Sequence, residues 1–157
     1  MDLDMVKQIL ESASREEESS LDGLPHKFFD PFIMQGIHVD LIEPGRILCS
    51  MKVPRRLLNT GNFMHGGATA SLVDLIGSAV IFTVGAPKTG VSLEINVSYL
   101  DAAFLDEEIE IEAKVLRVGK AIGVVTVELR KKESGKIFAQ GRHTKYLAIS
   151  NKLSSKL

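Results

Sequence analysis

The longest apolar stretch of the chain covers residues 68–85, and Asp74 is its only ionisable side chain. The stretch contains no proline, and apolar residues fall on every side of a helical wheel, which predicts a helix surrounded by protein. Burial of a carboxylate there costs free energy, so such a group is expected to be paired with another group or to take part in catalysis. No Lys or Arg lies within a helical turn of Asp74, so its partner is not identified by the sequence. A structural carboxylate and a catalytic one both stay open.

Alternation of apolar and polar positions predicts strands on both sides of this helix. Residues 37–41 and 47–53 flank a Pro44-Gly45 break and predict a hairpin. Four further alternating segments, which we interpret as a consecutive antiparallel meander, cover residues 91–99, 109–115, 125–129 and 137–149. The predicted fold is α+β, with an antiparallel sheet of about six strands wrapped around the long helix.

The first 32 residues have a different character. Apolar residues at helical spacing over 3–13 predict a short amphipathic helix that packs against the body, followed by a polar linker over 14–23. Phe28, Phe29 and Phe32 are candidate core anchors in an irregular segment. We therefore expect a helix and linker over 1–32, one domain over 33–150 and a flexible tail over 151–157. The N-terminal sequence has the features of neither a secretory signal nor a transit peptide.

Composition narrows the function classes. The 157 residues carry a net charge of −1, so no global field draws the chain to nucleic acid or an anionic membrane. Asp74 at the centre of the apolar run disfavours a membrane span. Cys49 is the single cysteine and alternates with apolar neighbours, which favours a core position. The four histidines show no metal-ligand spacing, and no metal site is predicted.

The motifs resemble those of a known family. They are Asn59, His65-Gly66-Gly67, Asp74, Gly90-Val91-Ser92, Asn96-Val97-Ser98-Tyr99 and residues 139–144. Together they resemble the small hotdog-fold acyl-CoA thioesterases, in particular the thioesterase superfamily member 2 (acyl-CoA thioesterase 13) group. The bacterial phenylacetate-pathway thioesterases are more distant relatives. The resemblance covers about residues 35–148 and implies a single-domain hotdog fold and thioester hydrolysis.

The resemblance implies catalytic positions that physical chemistry explains. Gly66 opens the helix, so its N–H is a free donor at the positive end of the dipole and can bind a developing oxyanion together with the Asn59 amide. Asp74 would act as general base on water or as nucleophile. Ser92 on the polar face of its strand could hold Asp74 or simply face solvent. For His65 we favour a structural cap over direct catalysis.

Spacing along the helix predicts an oligomer. Gly66 and Asp74 are eight residues apart, about 12 Å at 1.5 Å per residue, which is too far for both to act on one carbonyl. We therefore expect Asn59 and Gly66 of one subunit to meet Asp74 and Ser92 of another, in a homodimer or a dimer of dimers.

The resemblance also implies contacts with coenzyme A, which is part of the substrate, so no separate cofactor is expected. The matching positions lie in segments 99–104 and 117–122 and at three single residues. They include Arg55, Glu94, Tyr99, Leu100, Asp101, Arg117, Gly119, Lys120 and Tyr146. Arg117 and Lys120 could hold phosphate through charge-assisted bonds. Arg56, Arg142 and Lys145 are further basic candidates without a ranking.

The acyl group and the cellular location complete the expectations. We expect medium- to long-chain fatty or aromatic acyl groups. The alternatives are 1,4-dihydroxy-2-naphthoyl-CoA, whose thioesterases usually carry Glu at the position of Asp74, and a non-catalytic acyl-CoA-binding module, which would not need Asp74. The sequence ends in Ser155-Lys156-Leu157, the tripeptide that a peroxisomal import receptor reads, and a cytoplasmic location is the alternative.

Overall fold

The computed structural model describes Met5, Lys7, Gln8, Glu11 and residues 23–86 and 90–148. The chain divides into two compact units between Phe32 and Ile33. In the first unit, the four described residues before position 12 are helical, and Lys7 pairs with Glu11 at 3.7 Å. The rest of the predicted helix over 3–13, and the linker over 14–23 except Gly23, lie outside the described residues.

The three phenylalanines predicted as core anchors are all exposed, so this prediction was wrong. The segment contains a short helix, α1 (Phe29–Met34), instead of an irregular stretch. Phe28 and Phe32 are four residues apart and pack edge to face on each other, with ring centroids 6.4 Å apart. Ile33 is the buried apolar residue of α1.

A six-stranded antiparallel sheet and one long helix form the second unit, which confirms the α+β prediction. The chain order is β1 (His38–Glu43), β2 (Arg46–Lys52), a 3₁₀ helix (Arg55–Leu57), α2 (Gly66–Phe82), β3 (Val91–Tyr99), β4 (Glu108–Val118), β5 (Ile122–Lys131) and β6 (Ile137–Tyr146). The spatial order of the strands is β1-β2-β4-β5-β6-β3.

This order corrects the predicted four-strand meander. β3 pairs with β6 and not with β4, so only β4, β5 and β6 form consecutive hairpins. The connection between β3 and β4 leaves the edge of the sheet after β3, where the Leu100 N–H donates to the Phe138 carbonyl at 2.8 Å. Further along this connection, Phe104 forms a β-bridge with Phe63. β3 is therefore an edge strand.

Helix α2 packs on one face of the sheet through Leu72, Val73, Ile76 and Val80. Apolar residues of β4 and β5 that are fully buried form the other side of this core; they are Ile109, Ile111, Ala113, Val125, Val127 and Leu129. The helix was predicted to be surrounded by protein, but within one chain only this side is buried, and Phe82 is exposed. A single sheet covers only one face of a helix. Among the described residues, no helix is long and apolar enough to cross a membrane.

Cys49 on β2 is buried as predicted. Burial, with a smaller contribution from the charge of Asp40, raises the pKa of its thiol to about 11, which keeps it protonated near neutral pH.

Candidate active site

The start of α2 is held by its own cap. The Nδ1 atom of His65 accepts a hydrogen bond of 2.8 Å from the Gly67 N–H, and the backbone of His65 is extended. The His65 N–H donates to the Leu57 carbonyl at 2.8 Å, which ties the helix start to the 3₁₀ helix. Gly66 is the first residue of α2, so its N–H is one of the donors that a helix leaves without an intrahelical partner.

Asn59 lies in a tight loop that leads into this helix. Its Oδ1 accepts hydrogen bonds from the N–H groups of Gly61 at 2.8 Å and Phe63 at 3.3 Å. The Asn59 N–H donates to the Phe63 carbonyl at 2.9 Å, and Leu58 pairs with Met64. Because the loop occupies the carbonyl end of the amide, the NH₂ end is the one that can donate to a ligand.

Asp74 lies two turns further along α2 and meets three side chains from the structure around it. The hydroxyl groups of Ser92 and Ser78 donate to its Oδ1 at 3.3 and 3.5 Å, and His143 Nε2 is 3.5 Å from the same oxygen. Every one of these contacts ends on Oδ1. The carboxylate side chain is 44% exposed. Asp74 therefore has an anchored oxygen and, among the described residues, an unengaged Oδ2.

His143 on β6 supplies the contact to Ser92. Its ring is fully buried against Gly77 of α2, and Nε2 is 2.8 Å from the Ser92 Oγ. Burial, with a smaller contribution from the charge of Lys145, lowers the pKa of His143 to about 4, and the charge of Asp74 opposes this change. Nδ1 is buried without a hydrogen-bond partner among the described residues. An unpaired acceptor is easier to bury than an unpaired N–H, so the proton belongs on Nε2, where it donates to Ser92 and frees the Ser92 hydroxyl to donate to Asp74.

The position of Ser92 corrects the prediction that it lies on the polar face of its strand. Ser92 is opposite Lys145 and Glu94 is opposite Thr144, which leaves Leu93 as an extra residue. This β-bulge turns Ser92 to the helix side of the sheet, while Glu94 stays on the other side. Strict alternation would place the two residues on the same face.

Lys145 is the second buried charged residue of this region, with 4% of its surface exposed. Its Nζ donates to the Ser78 Oγ at 2.5 Å. Burial lowers the pKa of Lys145, while the charge of Asp74 raises it. His143 and Ser78 are not among the site residues predicted from the sequence, and Lys145 is one of three unranked basic candidates there. One signal was available, since His143 and Lys145 share the inward register of β6 with Ala139 and Gly141.

A cleft of about 270 Å³ opens beside the start of α2. Tyr99 and Gly66 both line this cleft, and the Tyr99 hydroxyl donates to the Gly66 carbonyl at 2.9 Å. Asp101 forms ion pairs with Lys136 at 2.9 Å and Lys131 at 3.5 Å, and its pKa is lowered to about 2, chiefly by the hydrogen bond from Lys136. The remaining lining is mostly apolar and consists of Phe63, Met64, Thr69, Ala103 and Phe138.

The other predicted binding residues are dispersed. Arg55 is exposed in the 3₁₀ helix, and Leu100 is exposed after β3. Arg117, Gly119 and Lys120 are exposed at the β4–β5 turn, which borders a cleft of about 340 Å³ beside residues 84–86. Tyr146 ends β6, and Glu94 lines a polar cleft with Arg142 on the sheet face away from α2.

One chain thus brings Asp74 and Ser92 together and places Gly66 beside Tyr99. Its Gly66 and Asp74 remain two helical turns apart. These two halves are chemically complementary, because one presents hydrogen-bond donors and the other a carboxylate with an unengaged oxygen.

Comparisons with known proteins, by sequence and by structure, both find similarity to thioesterases. Residues 61–138 match the model of the thioesterase superfamily. The chain is 42% identical to acyl-coenzyme A thioesterase 13 of Homo sapiens over 104 residues, 66% of this chain and 74% of the relative. It is 40% identical to the Mus musculus protein of that name over 115 residues, 73% of this chain and 82% of the relative. The zebra fish thioesterase superfamily member 2 structure superposes with a TM-score of 0.75 at 37% identity, covering 94% of this chain and 99% of that one.

Proposed function

The chain belongs to the thioesterase superfamily, with its hotdog fold and acyl-CoA thioesterase activity, and we propose that it hydrolyses CoA thioesters of medium- to long-chain fatty or aromatic acids. The observation that carries this proposal is the carboxylate of Asp74, which is held at Oδ1 by Ser92 and Ser78 and keeps Oδ2 available. A protein that only binds acyl-CoA has no use for such a group.

The proposed chemistry uses one half of the site from each of two subunits. The N–H of Gly66 and the NH₂ of Asn59 in one subunit bind the thioester carbonyl oxygen and stabilise it as it becomes negative. Oδ2 of Asp74 in the other subunit either takes a proton from an attacking water or attacks the carbonyl carbon itself. In the first route the hydroxyl group from water replaces the sulfur as the C–S bond breaks. In the second route the C–S bond breaks as a mixed anhydride forms on Asp74, and a water molecule then hydrolyses this anhydride and restores the carboxylate. In both routes coenzyme A leaves as the thiol and the acid is released.

The exposed edge of the sheet supports the dimer. β3 has its outer edge unpaired among the described residues, and its apolar residues Val91, Leu93 and Ile95 are exposed. An edge strand of this length with apolar side chains is a template for pairing with a second copy. A second copy joined at β3 would also cover the side of α2 that the sheet leaves open.

The cleft beside Gly66 supports an apolar acyl group. Its lining includes the buried apolar residues Ala103 and Phe138 together with Gly66, whose N–H is expected to bind the thioester carbonyl. An acyl chain bound there would gain burial of apolar surface, which favours fatty or aromatic groups over acetyl.

A thiol-release assay tests the proposed function. We expect kcat/KM to rise from acetyl-CoA to medium- and long-chain or aromatic acyl-CoA, with 1,4-dihydroxy-2-naphthoyl-CoA included as the competing substrate. Highest turnover of the naphthoyl ester would replace the proposed substrate class. Binding of acyl-CoA by calorimetry without turnover of any ester would reduce the protein to a binding module.

We propose in addition that the protein is delivered to peroxisomes. Support comes from the final Ser155-Lys156-Leu157, which lies outside the described residues, and from the substrate class, since peroxisomes process fatty acyl-CoA. A fluorescent fusion that keeps this C-terminus should co-localise with peroxisomes, and a version lacking the last three residues should be cytosolic and equally active. Unchanged peroxisomal localisation of the shortened protein would exclude this tripeptide as the address.

A further inference from the structure

Two chains of hydrogen bonds converge on Oδ1 of Asp74. One runs from His143 through Ser92, and the other runs from Lys145 through Ser78. An ammonium group can only donate, so the Ser78 oxygen must accept from Lys145. The hydroxyl hydrogen of Ser78 is then directed to Asp74. Lys145 therefore fixes the direction of the last hydrogen bond in its chain.

Lys145 is also the cationic partner of Asp74 that could not be identified from the sequence. α2 contains no other ionisable residue, and Glu94 of β3 lies on the opposite sheet face. Most charged side chains of β2, β4 and β5 lie on that opposite face as well, where many of them pair with one another; they include Arg46, Glu110, Glu112, Lys114, Glu128 and Arg130. Lys131 of β5 is opposite the buried Ile109 and therefore lies on the helix side, but it pairs with Asp101 and Glu107, and Asp101 lines the cleft beside Gly66. Among the described residues, the groups that can charge and face Asp74 from the sheet are His143 and Lys145. The ring of His143 is neutral near pH 7 because burial lowers its pKa to about 4.

We propose that Lys145 is a positioning residue, which holds Asp74 in its charged form and keeps Oδ1 turned inward through the hydroxyl of Ser78. This proposal rests on the proposed function. An opposite charge nearby favours the ionised carboxylate, and anchoring of Oδ1 leaves Oδ2 directed at the substrate. A buried ammonium is costly to retain in a fold, which fits a role beyond packing.

The pH dependence of kcat tests the charge. Lys145→Met removes the ammonium but keeps an unbranched side chain, so the acid limb of the profile should move up by about one pH unit, the lower scale for loss of an opposite charge. Lys145→Arg should keep the limb within a few tenths of a unit. Ser78→Ala should lower kcat more than it raises KM. Lys114→Met removes one surface charge on the opposite sheet face and should leave the profile unchanged.

A direct titration separates this proposal from the proposed function. The ¹³C carboxyl signal of Asp74, assigned by its loss in Asp74→Asn, should titrate at higher pH in Lys145→Met than in the wild type, whether or not any ester is hydrolysed. An unchanged titration and an unchanged acid limb, with rates lowered equally at all pH values, would reduce Lys145 to a structural residue. If Lys145→Met does not fold, Ser78→Ala and Lys145→Arg are compared instead. A shifted Asp74 titration in Ser78→Ala, with none in Lys145→Arg, supports the proposal. An unshifted Asp74 titration in Ser78→Ala overturns it.

Discussion

At the scale of single residues, the two oxygens of Asp74 have different surroundings. Oδ1 receives the contacts from Ser78, Ser92 and His143, while the carboxylate as a whole is 44% exposed. Asp74→Asn keeps the volume of the side chain but removes the basic oxygen, so we expect thiol release to fall by at least about 10²-fold with the melting temperature nearly unchanged. Asp106→Asn is the matched control, because Asp106 is exposed at a φ of 62°, which asparagine tolerates. Near-normal turnover of Asp74→Asn would remove this residue from the chemistry.

The buried ring of His143 predicts a pH-dependent stability. Its pKa is about 4 in the folded protein and about 6.5 when exposed, so the unfolded chain binds the proton more strongly. Above pH 6.5, His143 therefore does not lower the free energy of unfolding. As the pH falls from 6.5 towards 4, the free energy of unfolding decreases by up to about 3 kcal/mol because of this residue. Urea unfolding between pH 7 and 5 should show this loss in the wild type and in His38→Gln, but not in His143→Gln. The pKa values of Asp101 and Glu112 are lowered from 3.8 and 4.5 to about 2, so these carboxylates lose their stabilisation as the pH falls below about 5, and they do so in all three proteins. An equal slope in His143→Gln would contradict the assignment.

At the scale of elements, the approach of α2 to β6 sets the position of Asp74. A Cβ atom at Gly141 would lie 2.7 Å from Cγ1 of Val73, the residue that precedes Asp74. Gly141→Ala should therefore push the helix from the strand and lower the free energy of unfolding by about 1–3 kcal/mol, the usual cost of overpacking. Gly119→Ala is the control, since a Cβ there meets only a carbonyl oxygen at 3.6 Å. Denaturant unfolding of both variants measures the difference, and equal stabilities would show that the contact is relieved without cost.

The same elements show what periodicity can and cannot predict. Alternation located the strands and the apolar run located α2, because each reflects which side of an element is buried. Alternation carries no information on which strand pairs with which, so β3 was assigned beside β4 instead of β6. It also assumes an unbroken pleat, and the bulge at Leu93 inverts the face of Ser92. The sequence did not connect His143 and Lys145 with Asp74, because they lie about 70 residues further along the chain.

At the scale of the whole molecule, the exposed β3 edge predicts assembly. Ile95 on β3 is 36% exposed, and a charge there should be incompatible with pairing of two copies. Ile95→Asp should therefore sediment as a monomer and lose hydrolysis. Ile122→Asp is the matched control, because Ile122 is 39% exposed at the start of β5, away from that edge, and should keep the wild-type sedimentation. A fully active monomer in Ile95→Asp would contradict the shared site.

Mixing of two inactive variants tests directly whether each site takes one half from each subunit. In a heterodimer of Asn59→Ala and Asp74→Asn, one site receives both defects and the other receives an intact Asn59 and an intact Asp74. Random pairing yields about one half heterodimers, each with one intact site of two, so co-expression should restore about a quarter of wild-type activity. The matched control mixes Asp74→Asn with Ser92→Ala, because these residues belong to the same half and no pairing restores it. If each chain carried a complete site, both mixtures would stay at the activity of the single variants. Recovery in the first mixture alone can arise only when Asn59 of one chain and Asp74 of the other act on the same carbonyl group.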